Sequence, residues 1–164
     1  MAIEIERKFL VAGDGWRAAS ARSRRFVQGY LTRPGEAACS VRVRVGDAAA
    51  WLNIKAAVAG IERSEYEYAI PVADGERMLA EFCARVIEKV RYDVEHGGRT
   101  FEIDEFFGDN AGLVVAELEL ESVGAEFERP PWLGREISDK PRYYNLHLLQ
   151  HPYSAWSAAE RAGD

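Results

Sequence analysis

Charged and apolar residues alternate along most of this chain, and the alternation carries both signs of charge. In Glu4-Ile5-Glu6-Arg7-Lys8 the side chains of Glu4, Glu6 and Lys8 fall at every second position, among the apolar Ile3, Ile5, Phe9 and Val11. A strand turns successive side chains to opposite faces, so two carboxylates and an ammonium share one face. From Ala38 to Val45 the valines Val41, Val43 and Val45 oppose Ser40, Arg42 and Arg44. The period returns with Lys55 in Ala50 to Ala56, and with Arg63, Glu65 and Glu67 opposite Tyr66 and Tyr68. Lys89 and Arg91 oppose Val90 and Tyr92, Glu102 and Asp104 oppose Phe101 and Ile103, and Glu117 and Glu119 oppose Ala116 and Leu118.

Turn residues divide these runs. Gly13-Asp14-Gly15 ends the first strand, and Trp16 to Ala21 reads as a short helix capped by Asp14. Arg24 to Thr32 reads as a strand stopped by Pro34-Gly35, Gly60 ends a later hairpin, and Gly97-Gly98 makes a tight turn. Asp74 to Ala84 has the other period, with Met78, Leu79, Phe82 and Cys83 at helical spacing and Asp74 as cap. A short segment lies around Leu133 to Ser138. Pro141 starts a last helix through Gln150, and the tail from about Tyr153 is expected to be mobile, with Trp156 able to dock. The count is about eight or nine strands with a few short helices, an α+β chain that is mainly β. Regular strand spacing with tight turns suggests an antiparallel meander that closes or nearly closes into a barrel.

The 164 residues suit a single domain, 1–164, with a sizeable core. A net charge of −6 argues against binding nucleic acid through a global positive field. Cys39 and Cys83 stand in apolar surroundings without metal-ligand spacing, and read as reduced, buried thiols. Apolar runs are too short to span a bilayer, and Glu4 and Glu6 stand where a signal peptide needs basic residues. The expectation is a soluble, cytoplasmic protein with no membrane and no nucleic-acid partner, a monomer or homodimer.

Two arrangements accommodate the charged faces. In one, a single sheet keeps a dry face under the helices and a wet face in solvent, where cross-strand salt bridges explain the mixed signs. In the other, the sheet closes and the charged face becomes a lumen, whose charges need pairing, metal ions or a charged ligand. Two Glu-x-Glu strands would then offer oxygen ligands to a hard divalent cation, and the Arg and Lys rows would hold a polyanion.

The ordered set of motifs resembles the CYTH superfamily, or triphosphate tunnel metalloenzymes, of the small bacterial type. The pieces are Glu4-Ile5-Glu6-Arg7-Lys8, Gln28-Gly29-Tyr30-Leu31, Val41-Arg42-Val43-Arg44, Asn53-Ile54-Lys55, Arg63-Ser64-Glu65-Tyr66-Glu67, Glu88-Lys89-Val90-Arg91, Glu102-Ile103-Asp104, Glu117-Leu118-Glu119 and Pro141-Arg142-Tyr143-Tyr144-Asn145. The resemblance implies an eight-stranded antiparallel barrel around a charged tunnel, and hydrolysis of inorganic triphosphate with Mg²⁺ or Mn²⁺. It implies metal carboxylates at Glu4, Glu6, Glu117 and Glu119, with Asp104 a further candidate. It implies a triphosphate cradle of Arg42, Arg44, Lys55, Lys89 and Arg91, a Lys8–Tyr30 pair near the reacting water, and Glu65 and Glu67 positioning that water or a second metal. Ala56 departs from the family's usual Gly, and Ser138-Asp139-Lys140 from its usual Thr-Gly-Asp. Thiamine triphosphatase and class IV adenylate cyclase are the alternatives on the same fold. A non-catalytic polyphosphate-binding module is the alternative of another class.

Overall fold

The structure is a computed structural model that describes residues 2–33, 35–58 and 61–162. The expected breaks at Pro34 and Gly60 therefore lie outside the described residues. Nine strands form one antiparallel sheet: β1 Ala2–Val11, β2 Ser20–Tyr30, β3 Cys39–Gly46, β4 Ala50–Ala56, β5 Glu62–Ile70, β6 Ile87–His96, β7 Arg99–Phe106, β8 Val114–Glu119 and β9 Leu133–Glu136. The order is β5-β4-β3-β2-β6-β7-β8-β1-β9, and a further pairing of β5 with β1 closes a ring of eight. β1 holds that closure. Its residues Ala2–Ile5 pair with β5, Glu6–Leu10 pair with β8, and Phe9 and Val11 pair with β9, which takes the edge that β5 has left.

Residues directly opposite in an antiparallel pair share a face. The register sets Glu4 against Arg63, Lys8 against Glu117, Arg91 against Asp104 and Arg42 against Asn53. The alternation is thus in phase round the ring, and the charged side chains point inward. That excludes the open sheet with a wet face.

Apolar packing sits in two places. Outside the wall, Phe9, Phe101, Ile103, Ala116 and Leu118 are covered by Trp16, Phe127 and Trp132. Each large side chain buried there contributes about 1.5–3 kcal/mol. The second cluster closes one end of the lumen. Leu10, Phe106 and Val115 continue the inward series of Lys8, Asp104 and Glu117, and they pack with Ile87, Ile137, Tyr143, Leu148 and Trp156. The lumen is therefore charged along most of its length and apolar at a plugged lower end. Opposite, helix α1 (Val72–Phe82) lies on β3 and β4, where a Cβ on Gly75 would come within 2.9 Å of Ala50 and Val45. The β6–β7 hairpin uses Gly97 and Gly98 at φ 56° and 73°, the left-handed pair that a two-residue turn requires.

Several local expectations change. The segment after Asp14 is a single 3-10 turn, Arg17–Ala19, and Asp14 meets Arg17 through its backbone carbonyl and its carboxylate instead of capping with its side chain. α1 starts at Val72 behind Pro71, which pre-sets its entry, and Asp74 sits in the first turn. The last helix is not continuous. A 3-10 turn at Pro141–Tyr143 is cut by extended Tyr144 before α2 (Asn145–Leu148), so that the Tyr144 hydroxyl can donate to the Ser138 carbonyl at 2.7 Å. The tail is packed: Trp156 is buried against Tyr143, its indole N–H donates to the His151 carbonyl, and Ser157 caps α3 (Ala158–Arg161). Among the described residues no helix is long and apolar enough to cross a membrane.

Candidate active site

The lumen encloses a cavity of about 1180 Å³. Its open mouth is framed by the ends of β1, β4 and β8 and by the β6–β7 turn, and Tyr144 and His147 line it from the plug side. Within it the charges fall into three groups.

The first is an acidic wall of Glu4, Glu6, Glu65 and Glu119 on β1, β5 and β8. Glu4 accepts from Lys55 at 2.8 Å and from Arg63 Nε at 2.9 Å. Glu6 lies 2.6 Å from Lys8 Nζ and 3.5 Å from Arg63. Glu65 accepts from Asn53 at 2.9 Å and faces Lys55 at 3.2 Å. Burial would raise the Glu65 pKa, but Lys55 and a hydrogen bond with Glu4 bring it below the usual value. Glu119 differs. It stands opposite Glu6, and no ion pair reaches it among the described residues. Partial burial, then repulsion from Glu4, Glu6 and Glu65, holds its proton more tightly than usual. A carboxylate short of positive charge beside three others, all oxygen donors, fits a hard divalent cation. No three His, Cys, Asp or Glu side chains among the described residues already converge on a common metal position. Lys55, Arg63 and Lys8 separate the carboxylates.

The second group centres on Asp104, which is fully buried (0% exposed). It accepts two bonds from Arg91 at 2.7 Å and one from Lys89 at 2.5 Å. Arg91 also reaches Glu117 at 2.5 Å and pairs with Glu102, and Lys8 pairs with Glu117. Burial opposes ionisation of Asp104 and Glu117, but Arg91 and Lys89 hold Asp104 below the usual carboxylate range. Lys8 and Arg91 do the same for Glu117. Burial outweighs Asp104 at Lys89, where the ammonium pKa falls to about 8. At Lys8 burial is overcome by Glu117 and Glu6, and the ammonium stays charged well above neutral pH.

The third group is the arginine wall of β3. Arg44 reaches Glu67 at 2.9 Å, and its pKa is pulled down to about 10 by burial and then by Arg42 and Arg91. Arg42, opposite Tyr30, has no carboxylate within ion-pair distance among the described residues. Burial raises the Tyr30 phenol, and Arg42 partly offsets it through a hydrogen bond and its charge.

The structure brings Glu4, Glu6, Lys8, Tyr30, Arg42, Arg44, Lys55, Glu65, Glu67, Arg91, Glu117 and Glu119 onto one cavity. Lys89 and Asp104 are not on its surface; they stand behind Arg91, at 1% and 0% exposure. Three contributors escaped the site as drawn from sequence. Arg63 bridges Glu4 and Glu6, Glu102 pairs with Arg91, and Asn53 donates to both Glu65 and Glu67. Arg63 and Glu102 were visible as inward members of alternating strands. Asn53 stood only within the Asn53-Ile54-Lys55 piece, and a lone amide in a strand names no role by itself.

The fold and site define a tunnel-type protein, a closed antiparallel barrel whose lumen carries opposed acids and bases. The CYTH domain model matches residues 2–149, and the chain belongs to that family. It is 44% identical over 154 residues to an inorganic triphosphatase of Acetivibrio thermocellus, covering 93% of this chain and 97% of that one. A second inorganic triphosphatase, from Nitrosomonas europaea, is 36% identical over 151 residues, covering 88% and 95%. The crystal structure of the inorganic triphosphatase NE1496 superposes with a TM-score of 0.65 at 34% identity, covering 91% of this chain and 95% of that chain.

Proposed function

We propose that this chain hydrolyses inorganic triphosphate inside the tunnel with the help of a divalent cation, Mg²⁺ or Mn²⁺. The observation that carries the reading is that one cavity holds arginines without sufficient counter-charge and a carboxylate without a cation. A triphosphate and a divalent metal supply both. Metal dependence is general in the family, and the relatives named above act on inorganic triphosphate.

Arg42 and Arg44 lie two residues apart on one strand face, about 7 Å by the strand rise, so that their side chains can engage different phosphates of one triphosphate. Arg91 and Lys55 extend the cradle toward the carboxylates. Glu4, Glu6 and Glu119 would hold the cation. The chemistry such a cation supplies is neutralisation of phosphate oxygens at the bond that breaks. Lys8 and Tyr30 both keep their protons at neutral pH, so they serve as donors to the transferring phosphoryl group. That leaves the carboxylates, Glu65 and Glu67 among them, to orient and deprotonate the attacking water. Lys89 and Asp104 act behind the surface by holding Arg91.

The test is phosphate release from inorganic triphosphate, ATP and thiamine triphosphate with Mg²⁺, Mn²⁺ or chelator, with cyclic AMP assayed alongside. The highest kcat/KM is expected for inorganic triphosphate, with loss in chelator. Cyclic AMP formation from ATP without triphosphate turnover would reject the reading.

A further inference from the structure

Gln28 lies in the stretch Gln28-Gly29-Tyr30-Leu31, but neither the acidic wall nor the Asp104 centre uses its side chain. It is fully buried (0% exposed), and neither its amide nitrogen nor its oxygen has a hydrogen-bond partner among the described protein atoms. An amide buried without partners is costly, and an apolar side chain of the same size would serve packing better. Its place in the register is informative. Gln28 stands directly opposite Arg44, whose Nε is likewise buried and without a partner.

The arrangement repeats two residues earlier on β3, across its other neighbour β4. Arg42 stands opposite Asn53, and both Arg42 Nε and Asn53 Oδ1 are buried without partners. Asn53 spends only its nitrogen, on Glu65 and Glu67. Each arginine therefore has an unused Nε donor, and each faces an amide with an unused oxygen acceptor. Opposed residues of a strand pair have Cβ atoms about 4.5–5.5 Å apart, which lets one water bridge such groups. Gln28 Oε1, Gln28 Nε2 and Arg44 Nε together supply about three polar contacts, the usual complement of a buried water.

We propose that Gln28 is a positioning residue for Arg44, and Asn53 for Arg42. Each amide couples through a buried water to the guanidinium Nε and fixes the guanidinium plane, leaving the terminal nitrogens for phosphate, with Glu67 taking one bond from Arg44 Nη2. This rests on the reading that Arg42 and Arg44 bind triphosphate. A neutral amide suits the task. It orients the arginine without cancelling its charge, whereas the Asp104 carboxylate behind Arg91 orients and cancels at once.

Gln28→Met keeps the length of the side chain and removes both polar atoms. KM for inorganic triphosphate should rise about threefold, less than on removing Arg44 itself, with kcat within about twofold, because ground-state binding is what a fixed guanidinium improves. Gln28→Glu places a carboxylate against Arg44 and should raise KM further. A high-resolution crystal structure should show an ordered water bonded to both Gln28 Oε1 and Arg44 Nε. An unmoved KM in Gln28→Met, a loss confined to kcat, or no such water would overturn the coupling. Should Gln28→Met fail to fold, Gln28→Glu and the water decide it. Arg44→Ala in the same assay separates the two ideas. A raised KM there beside an unmoved Gln28→Met defeats only the coupling. An unmoved KM in Arg44→Ala defeats the placement of the triphosphate, and the coupling with it.

Discussion

Asp104 and the Arg42–Arg44 pair belong to the same ring of strands, and the chain treats them in opposite ways. Asp104 is wrapped by Lys89 and Arg91 and lies out of reach of the cavity. Among the described residues, Arg42 lines the cavity without a carboxylate in ion-pair reach, and Arg44 has only Glu67. Charge that the protein cancels internally costs desolvation and returns rigidity; it is scaffold. Charge left uncancelled at a cavity surface holds interaction energy in reserve for a ligand.

The largest expected effect tests the scaffold half. Asp104→Ala leaves Lys89 buried without its carboxylate and Arg91 with Glu102 and Glu117 alone, and should lower stability by about 3–5 kcal/mol in urea denaturation. Arg42→Ala, which relieves repulsion with Arg44, should cost far less. Equal losses in the two variants would erase the distinction. Next come the carboxylates. Glu6→Gln and Glu119→Gln should keep the fold and lose at least about a hundredfold in kcat/KM. Near-wild-type turnover of both at saturating Mn²⁺ would remove them from the metal site. Smaller again, Arg42→Ala and Arg44→Ala should each raise KM about tenfold with a lesser effect on kcat, whereas Lys8→Ala should lower kcat more than it raises KM. The reverse pattern would place the reacting end of the substrate at the arginines.

The smallest effect is a pH dependence. The Glu119 pKa is raised in the folded protein, so at intermediate pH the folded state binds the extra proton. Its contribution is present below the ordinary Glu value of about 4.3 and is lost as pH rises through the raised folded value. Metal-free Glu119→Gln should therefore melt above the metal-free wild type at neutral pH, with the gap shrinking toward about pH 4. A gap independent of pH would mean that charge is not its cause.

Period-two alternation made the strands legible, but charge on so many of them left a wet face and a lumen both open, and the family resemblance pointed to the lumen. What the pattern could not show is which charges meet. Asp104 and Glu119 look alike in sequence, each the second acid of an acid-x-acid pair. Register separates them: Asp104 falls opposite Arg91 and Val115, beside the plug, while Glu119 falls opposite Glu6 at the mouth. The split of β1 among three partners is equally invisible locally, since its ten residues read as one uniform strand. The break at Tyr144 lacks any Gly or Pro to announce it. It follows from a hydroxyl reaching Ser138, a tertiary contact that overrides local preference.

The three-way pairing of β1 also bears on how the chain is made. Lys8 finds Glu117 across 109 positions of sequence, and Arg7 finds Glu136 across 129. Contacts this distant make folding slow, because the entropy of closing so long a loop is lost before they form. As the chain emerges, Ala2–Ile5 of β1 can meet β5, but Glu6–Val11 wait for β8 and β9. Until β8 and β9 emerge, Glu6 and Lys8 lie on a stretch of β1 whose strand partners there have yet to be made. Charged side chains disfavour edge-to-edge pairing of strands, so the charge that β1 carries for the lumen would also guard this open edge.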